Sequence, residues 1–447
     1  MELSLNMKAA LCGVGVMMMV YAWRFFNWVW LKPKKMDNFL RKQGLNGNPY
    51  KFLFGDLKEM VQMTTNAKLK PINLTDNIVP RVMPFIYNSV KIHGKAFFTW
   101  MGPLPVVHVT EPALIREILA DYNKFQKPKG GNPLLGLLAR GVASADADQW
   151  VKHRKIINPA FHMEKLKHML PAFYIRSQLL PTKSNRRIKE IDREVRASIT
   201  KIINKRVTTM KAGESSNDDL LGILLDSNYK EIKQQGDKHF GLSIDEVIEE
   251  CKLFYFAGQE TTANLLVWTM ILLGQHTNWQ DCARDEVLQV FGESNPDIDG
   301  LSRLKVINMI LHEVLRLYPP STQLGRMIHE ETTLGNITLP AGSFLQLHMM
   351  LLHHDSDIWG NDVAEFKPVR FREGVLKATK GQASYMPFGG GPRICIGQNF
   401  AMLEAKLALV MILRCFSFEL SPSYTHAPHS FITLQAQFGA QLILRKL

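Results

Sequence analysis

Three kinds of hydrophobic pattern divide the chain. Ala9 to Trp23 is an unbroken apolar run, and Phe25, Phe26, Trp28, Val29, Trp30 and Leu31 carry it past Arg24. The run alone is short for a membrane span, but the extension and an arginine able to snorkel lengthen it. Tyr21, Trp23, Trp28 and Trp30 have the placement of an interfacial aromatic belt. A cleavable signal peptide is the competing reading; Glu2 and the lack of a small-residue cleavage site speak against it. A second pattern is alternation. Ala96–Met101 and Val106–Val109, joined by Gly102-Pro103-Leu104-Pro105, predict a β-hairpin.

The remainder is helical in period. A helix starts at about Pro112, and another carries Trp150-Val-Lys-His-Arg154. Ser243-Ile-Asp-Glu246 is a capping box that opens a helix running to about Gly274, long enough at about 45 Å to cross a domain. Leu304 to Tyr318 forms a further helix, stopped by Pro319-Pro320, and Gln398 to Arg414 a last one. The fold class is mainly α with a small β-sheet region. Residues 1–31 form an anchor and 32–447 one catalytic domain.

Charge changes this picture in one respect. Arg24, Lys32, Lys34, Lys35, Arg41 and Lys42 follow the apolar run, against Lys8 alone before it, which places the rest of the chain in the cytosol. The net charge of +13 is spread without nucleic-acid motifs, so no nucleic-acid partner is expected. A basic face toward an acidic protein or a lipid surface fits better. Five cysteines without CxxC spacing argue against a disulfide scaffold.

Candidate chemistry centres on Phe388-Gly-Gly-Gly-Pro-Arg-Ile-Cys395-Ile-Gly397. A glycine-loosened loop presents one cysteine at a helix start, where the helix N-terminus and free backbone N–H groups favour a thiolate. Gly391 and Gly397 would let the backbone fold closely around a flat ligand, Phe388 would cover the sulfur, and Arg393 suits a carboxylate. The plain alternative is a Gly-rich turn before a core helix. Trp150 and Arg154 lie at i,i+4 on one helical face, which in isolation describes a surface cation–π pair. Ala257-Gly258-Gln259-Glu260-Thr261-Thr262 sits mid-helix, where glycine and threonines are unfavourable and hint at a local opening. Tight packing on a neighbour explains that segment equally well. Glu313-Val-Leu-Arg316 is an i,i+3 acid–base pair, and Arg370 could join it.

Taken in order, these motifs resemble those of the cytochrome P450 superfamily, the heme-thiolate monooxygenases. The segments Asn217–Leu225 and Phe254–Thr262 look like the plant clan that includes secologanin synthase. The resemblance implies a cytochrome P450-like fold and heme b with its iron axially ligated by Cys395. Thiolate ligation of that kind favours O–O cleavage. It further implies that Trp150, Arg154, Arg326 and Arg393 hold the propionates, and that Ala257, Phe388 and Gly397 border the cofactor. Glu260 and Thr261 relay protons during O2 activation, while Glu313, Arg316 and Arg370 form a structural triad. No GxGxxG follows a strand, so electrons come from a separate NADPH-cytochrome P450 reductase. The resemblance implies an apolar terpenoid- or steroid-like small molecule as substrate. The setting is the endoplasmic reticulum membrane, with lipid contact through a single-pass anchor.

One interval departs from the family pattern. Ala257 follows Trp150 by only 107 residues, where the family fits seven helices. Roughly three helices, of about a dozen residues each, are missing. The join falls near 176–178, within the region between Trp150 and Ser243. Uncovered apolar side chains at about 1.5–3 kcal/mol each weigh heavily against a total stability of about 5–15 kcal/mol. Two rivals therefore stand beside the monooxygenase. One is a heme-thiolate isomerase or dehydratase, against which the Glu260-Thr261 pair argues. The other is a truncated variant of impaired or absent activity.

Overall fold

The computed structural model describes residues 5–128, 140–145, 147–161, 184–212, 219–236, 241–381 and 384–447. Its sheet grows from the hairpin, Ala96–Met101 against Leu104–Val109. Gly102 takes a φ of +61°, which permits a two-residue turn, so Leu104 and Pro105 join the strand instead of the connection. Phe344–Leu347 pairs parallel to the second hairpin strand, and Leu324–Ile328 pairs antiparallel to Phe344–Leu347. Phe125–Gln126 closes one edge and Asn46–Gly47 the other, giving six strands. Among the described residues, three two-stranded sheets complete the β structure.

A first helix, Leu5–Phe26, continues through a π-helical turn at Asn27–Leu31 into Lys32–Lys42. Val29 is buried, and Tyr50 donates its hydroxyl to the Val29 carbonyl at 2.5 Å, so packing against the body begins before residue 31. Among the described residues no helix is long and apolar enough to cross a membrane.

The helical side is organised by Ile244–Gln275, the central helix, whose N-cap Ser243 and Glu246 form the capping box. Trp268, Ile271, Leu272 and Leu273 on its C-terminal half are buried. They share one apolar core with residues of Lys305–Leu317 and of Gln398–Cys415, the cysteine helix. On the N-terminal half, Val247, Ile248 and Leu253 pack with Trp150 and Ile156 of helix Ala147–Ile157. Ile203 of helix Ser184–Lys211 is fully buried against the same cluster. Between these halves Tyr255 is 72% exposed.

The local opening expected at Ala257–Thr262 is not a break in the helix, which runs through it. Thr261 turns its hydroxyl back onto the Ala257 carbonyl at 2.7 Å, satisfying itself within the helix. The expected join at 176–178 lies outside the described residues.

Candidate active site

The cysteine loop is held by its own backbone: Cys395 N–H donates to Phe388 O at 2.9 Å and Ile394 N–H to Gly391 O at 3.1 Å. Gly391 has a φ of +66°, and a Cβ there would lie 2.0 Å from the Leu119 carbonyl. Helix Pro112–Ala120, rather than a ligand, is thus what demands this glycine. Gly397 has an ordinary negative φ, and a Cβ on it would meet Cys395 Sγ and the Phe161 ring only at 3.9 Å. Phe388 packs partly buried against the main core. The expected thiolate bias is outweighed in part: burial pushes the Cys395 thiol up, while the Gly397 N–H and the charges of Arg154 and Lys127 oppose it. Cys395 stays exposed as a residue, although protein surrounds its sulfur closely enough for burial to raise the thiol.

Four cations gather near Cys395. Arg154 donates to Ile394 O at 3.0 Å, Arg393 to Ala145 O at 3.1 Å and Arg326 to Gly325 O at 2.7 Å. Lys127 donates to Ala143 O. Burial, with Arg326, Arg393 and Arg154 adding repulsion, drives the Lys127 ammonium down to about 7. Burial and Arg393 lower Arg326 to about 10. Trp150 is buried, and the guanidinium over its ring at 4.8 Å belongs to Arg393, not to its helical neighbour Arg154. Tyr122 completes the stack, 4.7 Å from Trp150. Positive charge gathered beside the Cys395 thiol suits an anionic ligand. A flat group carrying two carboxylates and a metal for the sulfur fits this donor set.

Ile396 of the loop and Ala257 of the central helix border one buried cluster that contains Trp150. The loop, the Trp150 helix and the middle of the central helix therefore flank a common region. Beside Ala257 an added side chain at Gly258 would meet nothing within 4 Å. Glu260 Oε1 accepts from Thr433 Oγ1 and Gln435 Nε2, both at 2.6 Å, and from Asn264 Nδ2 at 3.2 Å.

Glu313 and Arg316, both fully buried, form a bidentate pair with two 2.8 Å bonds. Arg370 Nε stands 3.5 Å from Glu313 Oε1, and its other donors reach Asp362 and Trp359 O at 3.0 Å. Arg316 also donates to the carbonyls of His353 and Val363. The cluster ties the Lys305–Leu317 helix to the segment leading toward the cysteine loop.

Sequence reasoning missed Lys127, Tyr122, Thr433 and Gln435. Only the pairing of Phe125–Gln126 with Leu324–Ile328 brings Lys127 to Arg326.

A mainly helical fold, a small mixed sheet and a loop cysteine with cations near it fit the heme-thiolate class of protein. A cytochrome P450 family model matches residues 83–178 and 167–436, and the chain belongs to that family of monooxygenases. It is 52% identical to cytochrome P450 CYP72A219 of Panax ginseng over the whole of both chains. It is 47% identical to 7-deoxyloganic acid hydroxylase of Catharanthus roseus, again over the whole of both. Secologanin synthase 2 of the same plant is 44% identical over 100% of this chain and 99% of its own. The ginseng alignment spans 519 positions, 72 more than the 447 residues of this chain. The two family-model segments overlap at 167–178, so this is an internally shortened member.

Proposed function

We propose that the chain is a membrane-anchored heme-thiolate monooxygenase acting on an apolar terpenoid- or steroid-like molecule. Cys395 Sγ would hold the iron of heme b, and Arg154, Arg326, Arg393 and Lys127 would hold its carboxylates, with Trp150 and Tyr122 backing Arg393. Bound heme supplies the O2 chemistry: one oxygen atom enters a substrate C–H bond and the other leaves as water, with two electrons taken from NADPH. Glu260 passes protons inward, and the Thr261 hydroxyl, donating to Ala257 O, keeps its lone pairs free to accept them. NADPH-cytochrome P450 reductase delivers the electrons on a basic face. The anchor holds the domain on the cytosolic side of the endoplasmic reticulum membrane.

The observation that carries this reading is the convergence of four cations near Cys395. A second reading, an impaired variant, draws on the 72-position deficit and on the exposed Tyr255. A carbon monoxide difference spectrum of the reduced protein separates the two. The monooxygenase reading expects a thiolate-type band that Cys395→Ser abolishes and that Cys251→Ser, Cys282→Ser and Cys415→Ser leave in place. No such band in the unmodified chain supports the impaired variant. Protease added outside sealed microsomes should digest the domain; protection of the bulk of the chain would reverse the topology.

A further inference from the structure

Glu260 draws its partners from a distant part of the chain. After the cysteine helix, Pro428–Ser430 pairs antiparallel with Leu434–Ala436, with Ser430 opposite Leu434. Alternate residues of an extended chain share a face, so Thr433 and Gln435 point one way and Leu434 the other. Leu434 is fully buried. Its carbonyl accepts from Trp268 Nε1 at 3.1 Å, and its N–H donates to Pro320 O at 3.0 Å. This fastening turns the opposite face to the central helix. There Thr433 Oγ1 and Gln435 Nε2 each reach Glu260 Oε1 at 2.6 Å. Asn264, one helical turn beyond Glu260, adds a 3.2 Å bond to the same oxygen and a 3.1 Å bond to Thr433 Oγ1. Among the described residues, all three donors reach Oε1 and none reaches Oε2.

We propose that Thr433 and Gln435 are positioning residues for Glu260, which makes the C-terminal hairpin a working part of the proton-delivery pair; this rests on the role given to Glu260 and Thr261 above. Three donors on one oxygen fix the plane of the carboxyl group. Oε2 is then the atom that takes a proton from water and passes it toward Thr261. Two balanced outcomes depend on the timing of that proton. In one, substrate C–H, O2, NADPH and a proton give the alcohol, water and NADP+. In the other, O2, NADPH and a proton give hydrogen peroxide and NADP+. A carboxylate free to swing favours the second.

The test uses the full-length heme-loaded protein with reductase and NADPH, and 7-deoxyloganic acid as probe substrate. Thr433→Val removes the hydroxyl at nearly constant volume, and Gln435→Leu removes the amide. Each should lower product formed per NADPH about three- to tenfold, the worth of one or two hydrogen bonds, with heme content and KM unchanged. Thr433→Ser should restore the ratio. In a Glu260→Gln background, Thr433→Val should change it by less than about 1.5-fold, because the two act through one group. If Glu260→Gln itself leaves the ratio unaltered, the proton-pair reading fails. If Glu260→Gln uncouples turnover while Thr433→Val and Gln435→Leu do not, the positioning role alone is overturned. Should the probe not be turned over, hydrogen exchange in the resting protein decides. Glu260→Ala should speed exchange at residues 431–436 at least about threefold, and unchanged exchange would remove the hairpin from this role.

Discussion

Two clusters of basic residues in this protein differ in what surrounds them. In the Glu313 cluster, a carboxylate takes both forks of Arg316 and stands within 3.5 Å of Arg370, while Asp362 meets Arg370 from the other side. Around Cys395, Arg154, Arg326 and Lys127 donate to main-chain carbonyls, and their charges push against one another. The first group is complete and holds the fold. The second would accommodate an anion. Charge balance, more than residue type, distinguishes the two groups.

The largest effect expected from this contrast follows Glu313→Ala. It would strand Arg316 in the core at a cost of about 3–5 kcal/mol, a large part of a total of about 5–15 kcal/mol. Soluble folded protein should be lost, and a variant with an unchanged denaturation midpoint would break the distinction. Arg326→Met should act with the opposite sign on the heme-free protein. Relieving repulsion should raise its stability by about 1–2 kcal/mol. The same change should speed heme loss about tenfold or more, for want of one charge-assisted bond of about 1.5–3 kcal/mol. Transfer of heme to an acceptor protein reads this out.

A pH titration sharpens the same point. Lys127 falls from the usual 10.5 to about 7 in the folded, heme-free protein. Between those values the unfolded chain holds a proton that the folded one has released. The stability of the heme-free protein should therefore rise with pH from about 7 toward about 10, by up to a few kcal/mol at about 1.4 per unit. Below about pH 7 the Lys127 contribution should be flat. Lys127→Met should abolish the slope, and an unaltered slope would take Lys127 out of the cluster. The smallest stability effect belongs to Thr261→Ala, which removes one bond to Ala257 O from a helix that does not need it. Stability should change by less than about 1 kcal/mol with heme loading intact, while hydrogen peroxide rises at the expense of product. A fall in heme content instead would make Thr261 a packing residue.

Much of this was legible without coordinates, because it depends on neighbours along the chain. The capping box at Ser243 and Glu246, the hairpin at Gly102, and the i,i+3 spacing of Glu313 and Arg316 are local matters of backbone geometry. The motif order around Cys395 indicated the family, and the short interval after Trp150 indicated a loss that the 519-position alignment shares. Tertiary structure decided which distant groups meet. Local periodicity offered Arg154 as the partner of Trp150, and packing supplied Arg393. Gly391 was visible as a glycine, but its reason is the Leu119 carbonyl of another helix. Lys127 reaches Arg326 through a strand pairing, and Glu260 finds Thr433 and Gln435 across 173 and 175 residues of chain. Sequence spacing sets φ, caps and faces within one element. Whether a buried charge or carboxylate is satisfied depends on which elements cross there, and that is set only when the whole chain packs.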